Sequence, residues 1–283
     1  MIRVGTRGSA LALAQAEWVG SRLGVPYELV RTDAPGPVAD KSRWVSALEQ
    51  ALLAGEIDVA VHSAKDVPAE LAGGLELVAI PPREDPRDAI CGAPSLAALP
   101  AGARVGTSSL RRAAQIRASR SDLSVVEVRG NVDTRLRKLA AGECDALVLA
   151  VAGLARLGRL DEADGILDAF VPAAGQGALA LEAFPGRASV SGLVDPSTTA
   201  CVTAERELTR ALGASCNTPV GAHARVVSSG GSDGSGSVLE LSAWVGRPDG
   251  SAWVSDCVSG PSEGLGSLVA ERLLAAGAAE LLS

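Results

Sequence analysis

Apolar positions fall into short runs separated by Gly, Pro, Asp and Ser, and the period within each run predicts its element. Residues 2–4 predict a short buried strand. Residues 9–23 carry Leu11, Leu13, Ala14, Trp18 and Val19 at helical spacing, and Gly24 ends that helix. Strands follow at 27–30 and 57–61 around a helix at 44–54 closed by Gly55, then a strand at 75–80. The alternation repeats after a proline-rich stretch at 81–88: strands at 104–106, 123–128 and 146–150, helices from 110 and over 132–141, and a further helix carrying Arg156. Such alternation predicts a largely parallel sheet with helical crossovers. Residues 173–181 are small and glycine-rich before turning into a strand. With 81–88 they read as two crossings between two α/β lobes, a hinge with a cleft. Beyond a helix at 197–212 the period changes to two. Strands are predicted at 222–227, 239–245 and 253–258, with a Pro248-Asp-Gly250 hairpin signal, a Gly/Ser loop at 228–237 and a closing helix at 265–276. This tail reads as a small α+β domain.

Composition narrows the classes. A chain of 283 residues is long enough for two or three cored domains. Its net charge of −7 argues against a nucleic-acid coat, and an aromatic content of 2% leaves few platforms for stacking bases. Five cysteines without paired spacing argue against a disulfide framework or a zinc site, so a reducing cytoplasm is expected. Met1-Ile-Arg-Val4 leads straight into a strand, so no signal peptide is expected. No apolar run reaches the length of a membrane span.

Against that acidic background, arginines recur at strand-to-helix turns. Arg104-Val-Gly-Thr-Ser-Ser-Leu-Arg-Arg112 places Arg111 and Arg112 in a first helical turn, beside the hydroxyls of Thr107, Ser108 and Ser109. Cations there oppose the helix dipole at about 0.3–1 kcal/mol each unless an anion docks. Val128-Arg-Gly-Asn-Val-Asp-Thr-Arg135 repeats the pattern with Arg129, Asn131 and Arg135, and Arg7 precedes a helix capped by Ser9. One such arginine is a solvated side chain with an acidic neighbour. Three sites at strand ends point to a cleft for a polyanion of small carboxylates or phosphates. Lys65 and Asp66, after the strand at 57–61, sit where an active-site loop belongs, or else form a structural ion pair or Asx turn before Pro68. Cys144, Cys201 and Cys257 lie within elements and read as small buried hydrophobes. Cys216 lies in a Gly/Ser/Asn/Pro loop where a thiol is reachable, and His223 lies on a strand beyond it.

Taken together, Gly5-Thr-Arg-Gly-Ser-Ala-Leu-Ala-Leu13, Val61-His-Ser-Ala-Lys-Asp-Val-Pro68, Arg83-Glu-Asp-Pro-Arg-Asp88, the two arginine stretches above, Leu149-Ala-Val-Ala-Gly-Leu-Ala-Arg-Leu-Gly158, Gly175-Gln-Gly-Ala178 and Val202-Thr-Ala-Glu-Arg206 resemble the porphobilinogen deaminase (hydroxymethylbilane synthase) family, in the family's order. The resemblance implies two hinged α/β lobes of the type II periplasmic-binding-protein kind, at 1–81 with 178–195 and at 82–177, plus a C-terminal α+β domain at 196–283. It implies a transferase of porphyrin, tetrapyrrole and heme biosynthesis, cytoplasmic and monomeric, with porphobilinogen and the growing oligopyrrole as partners, and with no nucleic acid, membrane or metal. The enzyme would condense four porphobilinogens head to tail, losing ammonia each time, on a dipyrromethane cofactor held by a thioether at Cys216, and release a linear tetrapyrrole. Asp66 matches the catalytic carboxylate: general acid toward the departing amine, then partner of the pyrrole N–H. Lys65, Arg111, Arg112, Ser108, Ser109, Asn131 and Arg135 would hold the cofactor. Arg7, Ser9, Arg129, Arg156, Thr107 and Gln176 would hold substrate, guanidiniums gripping acetate and propionate groups bidentately.

The chain departs from the family at 32–44. There the family's Gly-Gly-Lys-Gly-aliphatic-Phe flap is replaced by a shorter Thr32-Asp-Ala-Pro-Gly-Pro-Val-Ala-Asp-Lys-Ser-Arg-Trp44, keeping Lys41 and Arg43 as charges and Trp44 as an aromatic. The Cys216 loop also lacks the usual glycines. Two alternatives stay open on the sequence: a divergent paralogue with altered chain length or pyrrole substrate, and a non-catalytic hinged anion-binding protein.

Overall fold

The computed structural model describes residues 1–32, 42–68, 70–188, 190–215, 218–228 and 236–282, with the side chains of 42–45 left aside. In chain order the first lobe opens with β1 (Ile2–Thr6), α1 (Ala10–Gly20), β2 (Tyr27–Arg31), α2 (Ser42–Leu53), β3 (Val59–Ser63) and β4 (Glu76–Ala79). The chain then crosses into β5 (Asp88–Cys91), β6 (Arg104–Gly106), α3 (Leu110–Ser119), β7 (Ser124–Val126), α4 (Val132–Ala140), β8 (Ala146–Ala150), α5 (Val151–Arg156) and β9 (Gly165–Ile166). A second crossing returns it to β10 (Leu179–Ala183). Then come α6 (Pro196–Ala211), β11 (Val220–Ser228), β12 (Val238–Gly246), β13 (Trp253–Pro261), α7 (Leu265–Ala275) and α8 (Ala278–Leu282).

The strand orders are β2-β1-β3-β10-β4, β7-β6-β8-β5-β9 and β11-β12-β13. The lobes are thus two copies of one sheet, largely parallel as expected but with one strand in each running against the other four. β1, β2 and β3 pair in parallel, as do β7, β6 and β8, whereas β10 runs antiparallel to β3 and β4, and β5 antiparallel to β8. The physical reason is the hinge: β5 and β10 each follow a crossing and enter the new sheet from the opposite end. Neither β5 nor β9 was predicted, because Pro86, Arg87 and Asp88 hide the start of one and the other is only two residues long. The third sheet packs on α6 and α7 around Leu208, Leu239, Leu241 and Val269. Cys144 and Cys201 are buried as expected. Cys257 is exposed, because β13 alternates and turns that position outward.

The helices that carry site residues start at designed caps. Ser9 accepts the Ala12 N–H, Ser109 the Arg112 N–H, Asn131 the Thr134 N–H and Asp195 the Thr198 N–H, with Pro196 opening the first turn of α6.

The two crossings are stitched together. Arg83 Nε donates to the Gln176 carbonyl (2.8 Å), Glu84 N–H to the Gly177 carbonyl (3.2 Å) and Gln176 Nε2 to the Pro86 carbonyl (2.6 Å). Gly177 has φ +87°, and a Cβ there would meet the Glu84 carbonyl oxygen at 2.4 Å, so this close approach requires glycine. Glu205 of α6 locks the junction. Its carboxylate accepts from Arg83 Nη1 (2.6 Å) and Nη2 (3.1 Å), the Gly175 N–H (2.7 Å) and the Ala224 N–H (2.7 Å). Burial works to raise the Glu205 pKa, but the Arg83 charge and hydrogen bonds, with His223 close by, outweigh it and hold the group at about 2.

Because the folded pKa lies below the ordinary value of 4.5, Glu205 contributes its stability above that pH and loses it as pH falls toward about 2. Glu205→Gln is expected to cost about 3–5 kcal/mol and to flatten that acid dependence. Thermal melts of parent and variant between about pH 3 and pH 6 check this, and parallel curves would count against it.

Candidate active site

Arg111 and Arg112 start α3 and are almost fully buried, and the anion beside them is internal. Arg112 Nε and Nη2 lie 2.9 and 2.7 Å from Asp88 Oδ1, and Arg111 Nη2 lies 2.8 Å from Asp88 Oδ2. Asp88 is the first residue of β5 and has no exposure. Burial would raise its pKa, but the two guanidiniums and Gln176 hold it well below the usual carboxylate range. Gln176 Nε2 donates to Asp88 Oδ1 (2.9 Å), Arg112 Nη1 reaches the Val148 carbonyl of β8 (3.2 Å) and Arg111 Nη1 the Val171 carbonyl (2.7 Å). One carboxylate therefore serves two guanidiniums. The surplus is positive, and Arg111 Nε is buried without a hydrogen-bond acceptor among the described residues.

That surplus extends across the site. Arg135, on α4, donates Nε to the Gly130 carbonyl (2.7 Å). Burial first, and then repulsion from Arg112, push its pKa down to about 10, with the Asp66 carboxylate opposing. The α3 and α4 arginines of the second lobe and Asp66 of the first thus share one electrostatic field. Arg156, at the end of α5, reaches the Gly177 carbonyl (2.7 Å), and burial lowers its pKa, with Glu84 opposing. It is not the surface residue that its apolar neighbours suggest in isolation. Lys65 and Asp66 form a 3₁₀ turn directly after β3, beneath the second crossing, where a Cβ on Gly175 would come within 2.9 Å of the Lys65 nitrogen. Arg7 follows β1 and Ser9 caps α1, which packs on α5 of the other lobe. Thr107 is buried and accepts the Ser109 N–H, and Ser108 is exposed. Arg129 is exposed and paired with Glu127 at 2.8 Å, and Asn131 acts as the cap of α4.

Cys216 lies outside the described residues, as do 33–41 of the shortened flap and the side chains of 42–45. On either side of Cys216, Ser215 and Thr218 hydrogen-bond to each other, at the end of α6. His223 is drawn to Glu205, its Nδ1 3.5 Å from Oε1. Sequence reasoning assigned no role to Asp88, Arg83, Glu205 or Arg206. The signal available was their place in quoted stretches, Arg83 and Asp88 around the first crossing and Glu205-Arg206 in the sixth helix. No cluster of three or more metal-ligating side chains occurs among the described residues.

Two α/β lobes joined by two crossings thus carry a surplus of guanidinium around Asp88, with Arg135 also in the field of Asp66. A family model described as "Porphobilinogen deaminase, dipyromethane cofactor binding domain" matches residues 2–191, and one described as "Porphobilinogen deaminase, C-terminal domain" matches 199–275. The chain belongs to the porphobilinogen deaminase family. A porphobilinogen deaminase of Geobacter sulfurreducens is 44% identical over 306 residues, covering 100% of this chain and 94% of the relative. One from Deinococcus deserti is 42% identical over 311 residues, covering 99% and 97%. Among solved structures, a periplasmic binding protein from Brucella ovis with glutathione bound aligns at 16% identity and a TM-score of 0.41, over 76% of this chain and 70% of that one.

Arg135 carries a half-buried charge lowered in pKa by burial and by Arg112, so if it holds substrate its effects on binding and on stability have opposite signs. Arg135→Met is expected to leave the melting temperature of the pyrrole-free protein unchanged or higher. It is also expected to weaken affinity for porphobilinogen about 10- to 100-fold, the worth of one charge-assisted hydrogen bond. A lower melting temperature with unchanged affinity, by calorimetry, would reverse the assignment.

Proposed function

We propose that this chain deaminates porphobilinogen and joins four units head to tail on a covalent dipyrromethane primer, releasing linear hydroxymethylbilane. The observation that carries the reading is the field shared by Asp66 and the buried arginines opposite it. Every pyrrole of this substrate bears an acetate and a propionate, so a chain of them needs surplus guanidinium on one side and a lone acid on the other. The residues fit the cofactor on the same ground: a surplus of buried positive charge around Asp88, an unpartnered Arg111 Nε, and half-buried Arg135 and Arg156 with depressed pKa values.

Bound through Cys216, the dipyrromethane would supply the terminal pyrrole carbon to which the first unit is joined, each later unit joining the free end of the growing chain. Arg111, Arg112 and Arg135, with Lys65, Ser108, Ser109 and Asn131, would hold its carboxylates. Arg7, Ser9, Thr107, Arg129, Arg156 and Gln176 would hold the incoming pyrrole. Asp66 would give a proton to the amine nitrogen as its C–N bond breaks, so that ammonia leaves with the bonding pair. As a carboxylate it would then face the pyrrole N–H, where positive charge collects during carbon–carbon bond formation. The proton released from the joined pyrrole carbon restores the acid. Burial of the arginines strengthens each of these interactions relative to water. We assign the lobes to 1–81 with 178–195 and to 82–177, the thiol-bearing domain to 196–283, and a monomer in the cytoplasm as the working form. No helix among the described residues is long and apolar enough to cross a membrane.

Asp66→Asn is expected to keep the fold and the primer site while dropping tetrapyrrole formation by at least about 100-fold. Cys216→Ala is expected to lack the added mass of a dipyrrole. Intact-protein mass and porphobilinogen turnover read both variants. A parent protein with no adduct and no turnover would instead mark a non-catalytic anion-binding protein.

A further inference from the structure

Arg206 projects from α6 of the third domain onto the turn of the first lobe that carries Lys65 and Asp66. Its Nη1 donates to the Val67 carbonyl (3.0 Å) and its Nη2 to the Pro68 carbonyl (2.7 Å). Val202, four residues earlier and on the same helical face, packs with Ala64, Val67, Ile80 and Ala178. The guanidinium is largely withdrawn from water, and burial and Arg210 lower its pKa against the pull of Glu182. Glu182 is buried on β10, 2.9 Å from His62 of β3, the strand that runs into the turn. The 3₁₀ turn is otherwise closed by the Val67 N–H to the Ala64 carbonyl (3.2 Å) and anchored by the Ala64 N–H to the Ala178 carbonyl (3.0 Å). Two forked donors on consecutive carbonyls fix the orientation of the peptide planes just after Asp66, which one ammonium cannot reproduce.

We propose that Arg206 is a positioning residue for the reaction: it touches neither substrate nor cofactor and sets the direction of the Asp66 carboxylate through the Val67 and Pro68 carbonyls. This rests on the functional reading above. Releasing the clamp lets the turn relax, and an acid displaced by about 1 Å loses up to about 100-fold in rate while substrate is still held by the arginines of the other lobe. Arg206 thus ties the acid turn to the same helix whose Glu205 joins the two crossings.

The test compares the parent holoenzyme with Arg206→Ala and Arg206→Lys, and with Thr203→Ala on the exposed side of the same helix. For Arg206→Ala, kcat is expected to fall about 10- to 100-fold with the KM for porphobilinogen within about twofold, and Arg206→Lys to recover only part. Thr203→Ala is expected to match the parent. Amide hydrogen exchange is expected to rise at residues 64–67 of Arg206→Ala and to stay at parent levels in β1 and β3. A kcat within twofold of the parent, a rise confined to KM, or unchanged exchange in the turn would each overturn the proposal. Should Arg206→Ala fail to fold, the kcat-to-KM split and the turn exchange of Arg206→Lys decide it. A parent protein that makes no tetrapyrrole would sink the functional reading instead, and the exchange data would still judge whether Arg206 holds the turn.

Discussion

Placing a carboxylate out of reach of water costs several kcal/mol, and the structure recovers that cost at Glu205 only by filling its acceptor sites. Two N–H groups of Arg83 and the backbone N–H groups of Gly175 and Ala224 converge there. These donors come from the first crossing, the second crossing and the first strand of the third sheet, and the acceptor is on α6. Because these bonds are buried or partly buried, shifting any one segment leaves a donor without its acceptor and a charge less well satisfied. The node therefore behaves as one unit. The Gly177–Glu84 contact, which leaves no space for a side chain, makes the same statement about the two crossings in purely steric terms.

The electrostatics of the site follow from the neighbouring node at Asp88. Two guanidiniums against one buried carboxylate is an incomplete neutralisation, and Arg135 registers it as repulsion from Arg112. A protein optimised only for stability would avoid such an arrangement, since an unmatched buried charge is expensive. In the proposed site the imbalance would favour carboxylates, because the attraction acts where the dielectric is low. The chain as a whole carries −7, so this positive charge is a local feature of an acidic protein.

Much of this was legible in the residues. The strand–Gly–cap–Arg pattern located the starts of α3 and α4, and the caps at Ser9, Ser109 and Asn131 are where the hydroxyl and amide side chains placed them. The change of period at the third sheet and the two glycine- or proline-marked crossings were equally readable. The antiparallel entry of β5 and β10 was not, since strand direction depends on which sheet a segment joins and a local pattern is blind to that. The anion expected beside Arg111 and Arg112 turned out to be partly internal. Asp88 is 23 and 24 residues away in sequence, and nothing local distinguishes a charge at a strand start from one in a loop. Glu205 and Arg206 were hidden for the same reason: on a helical wheel they are two charged residues in a row, and only the tertiary fold buries them.

The helical repeat explains how one element serves these separated ends. Thr198 and Glu205 lie two turns apart and face the crossings, Thr198 accepting the Arg83 N–H and Glu205 its guanidinium. Val202 and Arg206 lie one turn apart on the adjoining face, toward the Asp66 turn. From Arg206 to the end of the helix at Ala211 is about 8 Å at 1.5 Å per residue. A rotation of α6 would therefore break the Glu205 node and tilt the Asp66 turn together. Hinge and acid turn are held in a fixed relation by helical periodicity, with buried Glu205 and half-buried Arg206 as the fasteners.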